Sequence, residues 1–237
     1  MNFLKIKNRV ERCSKYTFFA FAGFLFTAGN VLAHGVTTGD KGFIQETTGV
    51  LLLPFTYLGA KHMVTGYDHL LFLIGIVFFL YKMKDVAIYV TLFALGHIMT
   101  LMAGVYFDIP INAYVVDTII GLSVVYKALD NMGAFERFGI SIDTKKAVAI
   151  FGLFHGLGLA AKMQEFELSR DGLFWNLLSF NIGVEIGQIL ALAVILIGMG
   201  FWRHSESFLR HAYTVNVVIM TAGFCLMGYQ ITGFLIN

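Results

Sequence analysis

Six apolar segments follow one another along this chain, and short polar loops separate them. Their approximate limits are 67–81, 85–107, 111–129, 145–163, 174–201 and 213–235. A helix needs about 20 mainly apolar residues to cross a bilayer, because the hydrocarbon core is about 30 Å thick. The segments therefore predict an all-α membrane protein, with a six-helix transmembrane bundle over residues 67–237.

The composition agrees with a membrane protein. Charged residues make up 14% of the chain, against about 25% in soluble domains. An outer-membrane barrel is not indicated, because its strands would give short alternating segments of about ten residues. The sequence shows no evident internal repeat and no linker that divides the bundle into domains.

Residues 1–33 have the three-part order of a secretory signal peptide. Five basic residues precede a short apolar core at 17–29, and Val31-Leu32-Ala33 offers a cleavage position after Ala33. An uncleaved first transmembrane helix is the alternative, but the apolar core is short for a crossing. After cleavage 12 basic and 14 acidic residues would remain, so the charge gives no indication of nucleic-acid binding. Cys225 would be the only cysteine, which excludes an intrachain disulfide.

Residues 34–66 are predicted to form a periplasmic N-terminal and interfacial segment. The part from 43 to 66 is mixed in character, and its apolar stretch is short for a crossing. Pro54 and Gly66 limit the length of any helix there. We expect a short helix at the membrane interface before the first span.

The loop charges predict the orientation of the bundle. A cleaved signal peptide places residue 34 outside the cytoplasm, and six crossings return Asn237 to the same side. Eight basic residues then fall on the inside and four on the outside, as the positive-inside rule requires. We expect a multi-pass protein of the bacterial inner membrane with both termini in the periplasm.

Polar and ionisable side chains cluster at a similar depth in five of the predicted spans. These residues are His62, Asp68, His69, His97, Asp117, His155, Asn181, Glu185 and Gln188. An ionisable side chain inside a bilayer costs about 2.5–3.5 kcal/mol on insertion scales, and it usually faces an interior cavity. All of them fall near the midplane or in the outer half, so we expect a polar cavity open to the periplasm.

The chemistry of the cluster indicates a metal site. Imidazole suits nickel, zinc, copper and cobalt, and a carboxylate adds negative charge. On a continuous helix His62 and His69 would lie about 10 Å apart along the axis, too far for one ion. A break at Gly66 would let His62 fold back towards Asp68 and His69. Asp68 is expected either to bind the metal or to orient a histidine that does.

The predicted ligands are His62, Asp68, His69, His97 and His155. Asp117, Asn181, Glu185 and Gln188 are predicted to line the pathway or support the ligands. On the fifth span Asn181, Glu185 and Gln188 are spaced i, i+4 and i+7, which predicts one shared face. Purely structural roles are the alternatives. A single intramembrane histidine often only forms a hydrogen bond to a neighbouring helix. Asp68 could be an N-cap, and Asp117 could be the structural partner of a neighbouring polar side chain.

Several stretches resemble the HupE/UreJ family of bacterial membrane proteins. They are His62-x5-Asp68-His69 followed by LLFL, ALGHIMTL around His97, FHGLGLA around His155, and FNIGVEIGQ around Glu185. The resemblance extends from about Gly59 to Gln188 and more weakly beyond. It implies a secondary nickel or nickel/cobalt permease with a cleaved signal peptide and six spans. It also implies that His62, Asp68, His69 and His155 are needed for metal uptake.

Two functions from different classes follow. The first is a permease for a divalent transition metal, nickel before cobalt, zinc or copper. The second is an intramembrane zinc-dependent hydrolase that uses the same His/Asp cluster, since three histidines with an acidic residue can hold a zinc ion that keeps a water position open. A metal-binding accessory protein is a third reading. The expected partners are the metal ion and the lipid bilayer, with a homo-oligomer allowed and no nucleic acid.

Overall fold

The computed structural model describes residues 48–165 and 169–236, and these residues form eight helices and no strand. The predicted signal peptide at 1–33 lies outside the described residues. The helices are α1 Leu52–Thr65, α2 Tyr67–Val77, α3 Met83–Tyr106, α4 Ala113–Asn131, α5 Ala134–Arg137, α6 Thr144–Gln164, α7 Leu173–Arg203 and α8 Ser207–Ile236. The prediction of an all-α membrane-type chain is therefore confirmed.

Four helices are long and apolar enough to cross a membrane, namely α3, α6, α7 and α8. Helix α4 has 19 residues but carries Asp117, Lys127 and Asp130, and the last two form an ion pair at 2.5 Å. Helix α2 is apolar but has only 11 residues, fewer than a crossing needs. Length and composition therefore support four of the six predicted spans directly.

Helices α1 and α2 together extend from one end of the bundle to the other. At one end Asn176, near the start of α7, accepts a hydrogen bond from Leu51 N at 2.7 Å and donates to Gly49 O at 2.9 Å. At the other end Arg203, the last residue of α7, donates to the carbonyl oxygens of Val77 and Phe78. The α1–α2 stretch therefore runs parallel to α7 and matches its length. The segment predicted at 67–81 is only the second part of this stretch.

Close glycine contacts join α1 to α7. A Cβ atom on Gly183 would collide with the carbonyl oxygen of Thr56, and a Cβ on Gly59 would collide with that of Phe180. Small residues let helix backbones approach closely in membranes, where packing drives helix association. The helix predicted at the interface is thus packed along the first half of α7, and its depth in the bilayer stays a prediction.

Two other helix pairs complete the bundle. Helices α3 and α6 run parallel, and the Thr100 hydroxyl of α3 donates to Leu153 O of α6 at 2.7 Å. Helices α4 and α8 run antiparallel, with Gly121 packed against Gly223 near the middle of both. The α1–α7 pair and the α3–α6 pair lie on either side of the site that is described next.

The two ends of the bundle have different polar contacts. At the Asn176 end Arg170 donates to Tyr106 O and pairs with Asp108 at 2.8 Å. At the opposite end, called the Arg203 end, the Asn131 side chain donates to Gly75 O and to Asn216 Oδ1. The basic residues predicted to lie inside belong to helix ends and loops at the Arg203 end, namely Lys82, Lys84, Lys127, Arg137, Lys145, Lys146, Arg203 and Arg210.

Candidate metal centre

The break between α1 and α2 creates the centre. Gly66 has ψ 103°, which is extended rather than helical, and its N–H donates to His62 O at 2.9 Å. The imidazole rings of His62 and His69 therefore lie with centroids 5.1 Å apart instead of about two turns apart on one straight helix. The predicted break at Gly66 is present, and it brings these two histidines together.

His69 lies at the centre of four imidazole rings. Its ring centroid is 4.9 Å from that of His155 on α6 and 5.8 Å from that of His97 on α3. We call His62, His69, His97 and His155 the histidine cluster. All four side chains are buried, with exposed fractions of 8% for His62 and at most 1% for the others. Four helices thus contribute one histidine each to a single interior site.

Three members of the cluster are close enough together to hold a metal ion after a small shift of their side chains. His62, His69 and His97 each offer a ring nitrogen, and these nitrogens lie within 4.8 Å of one another. Nitrogens that bind one zinc ion tetrahedrally at about 2.1 Å would be about 3.4 Å apart. A shift of about 1 Å in the side chains would therefore close the three ligands around an ion.

The hydrogen bonds indicate which ring nitrogens face the site. His155 Nδ1 lies 2.8 Å from Phe151 O, and because a carbonyl oxygen can only accept, Nδ1 carries the hydrogen. His69 Nδ1 lies 3.1 Å from a carboxylate oxygen of Asp68, which favours the same tautomer. In this tautomer Nε2 has the lone pair, as a metal ligand requires.

Asp68 orients His69 and does not cap α2. The N-cap residue of α2 is Gly66, and no side chain caps this helix end. The Asp68 carboxylate, which is 1% exposed, instead approaches the His69 ring. Carboxylates commonly fix the orientation of ligating histidines in this way and raise their basicity. The supporting role is therefore the one that the geometry favours.

Aromatic rings form the apolar wall of the cluster. Phe72 stacks on the His155 ring at 5.4 Å, and Phe93 meets that ring edge-on at 4.8 Å. The sequence interpretation did not single out these phenylalanines. A signal was present, since Phe72 is three residues after His69 and Phe93 four before His97, which places each pair on one helix face. Buried aromatic walls lower the local dielectric and strengthen charge interactions in the site.

The other predicted residues lie in different surroundings. Asp117 is buried on α4 and faces Gly158 of α6, one turn beyond His155. Asn181 and Gln188 are buried on α7, and the Asn181 side chain donates to Leu177 O at 3.0 Å. Glu185 is exposed, so the predicted shared face of α7 buries Asn181 and Gln188 but leaves Glu185 outside.

We expect Asp68→Asn to weaken metal binding about 10–100-fold, because mutation of residues that orient a ligand typically costs that much. The amide keeps the size of the carboxylate but loses its charge. Isothermal titration of the purified protein with nickel would measure the change. Asp108→Asn is the matched control, since the Asp108–Arg170 pair is exposed and lies at the Asn176 end. Equal affinity in wild type and Asp68→Asn would contradict the assigned role.

A family model described as HupE / UreJ protein matches residues 38–237. Searches of curated proteins and of solved structures returned no match. The match covers most of the chain, including all of the helices and the whole histidine cluster. The family is associated with nickel and cobalt transport. The sequence and the site geometry agree with this match, and the chain belongs to the HupE/UreJ family.

Proposed function

We propose that this protein is a secondary permease that carries a divalent transition metal, nickel first, from the periplasm to the cytoplasm. The observation that carries the proposal is the meeting of His62, His69 and His97 at a helix break inside the bundle. Many transporters bind their substrate where a discontinuous helix exposes its ends near the middle of the membrane. The metal is the substrate, and the histidines replace part of its hydration shell during passage.

The proposed topology has six crossings, with α1 and α2 together forming the first. Helices α3, α4, α6, α7 and α8 then cross in turn, and both chain ends lie in the periplasm. The concentration of basic residues at the Arg203 end supports a cytoplasmic location of that end. The 30-residue α8 and the 31-residue α7 are long enough to span the core with some tilt.

Access to the site has to change during transport. All four histidines are buried, so the described conformation encloses the cluster. The cavity open to the periplasm that the sequence predicts would belong to another state of the cycle. Ion binding favours one state over another only by its differential affinity for the two.

The membrane potential is the proposed driving force. The sequence contains no P-loop of the form GxxxxGK[ST], so no motif indicates that nucleotide hydrolysis drives transport. An inward-moving elementary charge gains about 2.3 kcal/mol per 100 mV, so a divalent ion gains about twice that amount. This energy suffices for accumulation without a coupled ion.

The zinc-hydrolase alternative rests on the same three histidines and has no separate support. The family that the chain matches is associated with transport, and the match gives no support to a hydrolase. We therefore keep transport as the only proposed function, and the uptake assay below separates the two.

Liposomes that contain the purified protein are expected to take up radioactive nickel. The uptake rate should rise when a potassium gradient and valinomycin make the interior negative. The charge of the ion supplies the reason, because an inside-negative potential favours its entry. Competition by cobalt, zinc and copper would rank the substrates. Liposomes that hold zinc tightly, do not exchange it and show no flux of any of these metals would contradict the permease proposal.

A further inference from the structure

The contact between α4 and α8 is symmetric, because a glycine on each helix meets matching atoms of the other helix at matching distances. A Cβ atom on Gly121 would lie 2.8 Å from Met227 Cγ and 3.0 Å from Met227 N. A Cβ on Gly223 would lie 2.8 Å from Val125 Cγ2 and 3.0 Å from Val125 N. Adding 102 to the α4 numbers gives the α8 numbers in both cases, as for two copies of one element around a two-fold axis.

The α1–α7 and α3–α6 pairs repeat one set of contacts. On the first pair, Gly59 meets the carbonyl oxygen of Phe180, and Gly183 meets that of Thr56. On the second pair, Gly152 meets the carbonyl oxygen of Phe93, and Gly96 meets that of Ala149 at 2.7 Å. Each contact maps onto its counterpart when α1 is shifted by 93 residues onto α6 and α3 by 87 onto α7.

The same shifts align short stretches of sequence. YLGAKH at 57–62 falls on IFGLFH at 150–155, so that both contain G-x-x-H. FALG at 93–96 falls on FNIG at 180–183, so that both contain F-x-x-G. His62 is thereby the counterpart of His155. Two identities in each short stretch are too few to show a repeat from the sequence, and the helix contacts supply the missing evidence.

The two halves run in opposite directions. The α1–α2 stretch runs from the Asn176 end to the Arg203 end, and its counterpart α6 runs the other way. The same reversal holds for α3 against α7 and for α4 against α8. This is the relation produced by a two-fold axis in the membrane plane, which places counterparts at equal depths on opposite sides of the midplane.

We infer that the chain consists of two inverted halves, and that His62 and His155 are symmetry-related partners of a central His69, with His62 binding the ion first and His155 receiving it afterwards. The inference deepens the proposed permease function and rests on it. His69 is almost equally distant from both, at 5.1 Å from His62 and 4.9 Å from His155. His62 belongs to the α1–α7 side and His155 to the α3–α6 side, whereas His69 on α2 contacts rings of both sides. Rocking of these sides opens the site alternately to His62 and to His155.

The metal centre does not follow the two-fold symmetry, because His69 and His97 have no histidine counterparts in the second half. The shifts map His69 onto Lys162 and His97 onto Val184, so the first half alone contributes both central ligands. The three ligands with converging nitrogens, His62, His69 and His97, are all in the first half. The described state therefore corresponds to an ion held by His62, His69 and His97, and transfer to His155 is the later step.

The test uses nickel as the probe and measures two quantities separately, namely binding from the periplasmic face and release into the lumen. In liposomes with uniformly oriented protein, His62→Gln is expected to lower nickel affinity from the periplasmic face at least 10-fold. His155→Gln should keep that affinity within about 3-fold but slow the appearance of nickel in the lumen at least 10-fold. Glutamine keeps a polar side chain of similar length, and thermal unfolding in detergent checks that both variants are folded.

The outcomes distinguish this inference from the proposed function. Equal effects of the two variants on periplasmic-side binding, or effects in the reverse order, would overturn the paired roles even if the wild type carries nickel. Wild-type liposomes that bind nickel but never pass it would refute transport itself. If either glutamine variant fails to fold, His62→Asn and His155→Asn replace it and are judged by the same two measurements.

Discussion

Replacing His69 with alanine is expected to abolish nickel uptake and to lower nickel affinity more than about 100-fold. His69 is the ring that the other three histidines surround, at centroid distances between 4.9 and 5.8 Å. Its loss removes one of three converging ligands and leaves the Asp68 carboxylate without the ring that it orients. Mutation of a residue that only supports a ligand already costs 10–100-fold, so loss of the central ligand should cost more.

The measurement combines nickel titration of purified protein with uptake into liposomes. His204→Ala is the matched control, because His204 is exposed and lies just beyond the end of α7 at the Arg203 end. It should bind and carry nickel like the wild type. Uptake by His69→Ala at more than a tenth of the wild-type rate would show that the histidine cluster is not the transport site.

The second large effect concerns the fold. Gly183→Leu is expected to prevent stable folding, because even the first added carbon collides with the backbone carbonyl of Thr56. A backbone atom cannot rotate away as a side chain can, so α1 would have to move off α7. Overpacking a close interior commonly costs about 1–3 kcal/mol and occasionally more, and this site falls at the upper end. Because α1 carries His62, the metal site would be lost with the contact.

The same helix supplies the control. Gly198 is also on α7, but a Cβ there would meet nothing within 4 Å. The Gly198→Leu protein should therefore have the same unfolding temperature as the wild type. The unfolding temperature of both variants in detergent is measured by heating the protein and following the loss of the folded peak in size-exclusion chromatography with fluorescence detection. A Gly183→Leu protein as stable as the wild type would mean that α1 and α7 are not packed as described.

Much of the site could be predicted from the sequence because its parts are close in the chain. His62, Gly66, Asp68 and His69 lie within eight residues, and the rise of a helix shows that only a break at Gly66 can join the two histidines. The cost of buried ionisable groups likewise indicated that His97 and His155 face the interior.

The inverted halves and the position of α1 could not be predicted in this way. The segment from 43 to 66 was too mixed to be recognised as a helix that packs along α7, since α1 and α2 are each too short to indicate a span alone. Glu185 is exposed although it shares a face of α7 with the buried Asn181 and Gln188, because the neighbouring helices cover that face only in part, and the spacing alone does not show this.

The sequence by itself determined the class of the protein, its apolar helices and the identity of the side chains that are proposed to bind the metal. Hydrophobic length and the cost of intramembrane charge are properties of each segment alone, so the chain records them locally. Only the tertiary structure decided which helices pair and that His69 lies between His62 and His155. Those facts depend on glycine backbones approaching partners far away in the chain, from 53 residues for Gly96 and Ala149 to 127 residues for Gly183 and Thr56, and neither segment reveals such a contact on its own.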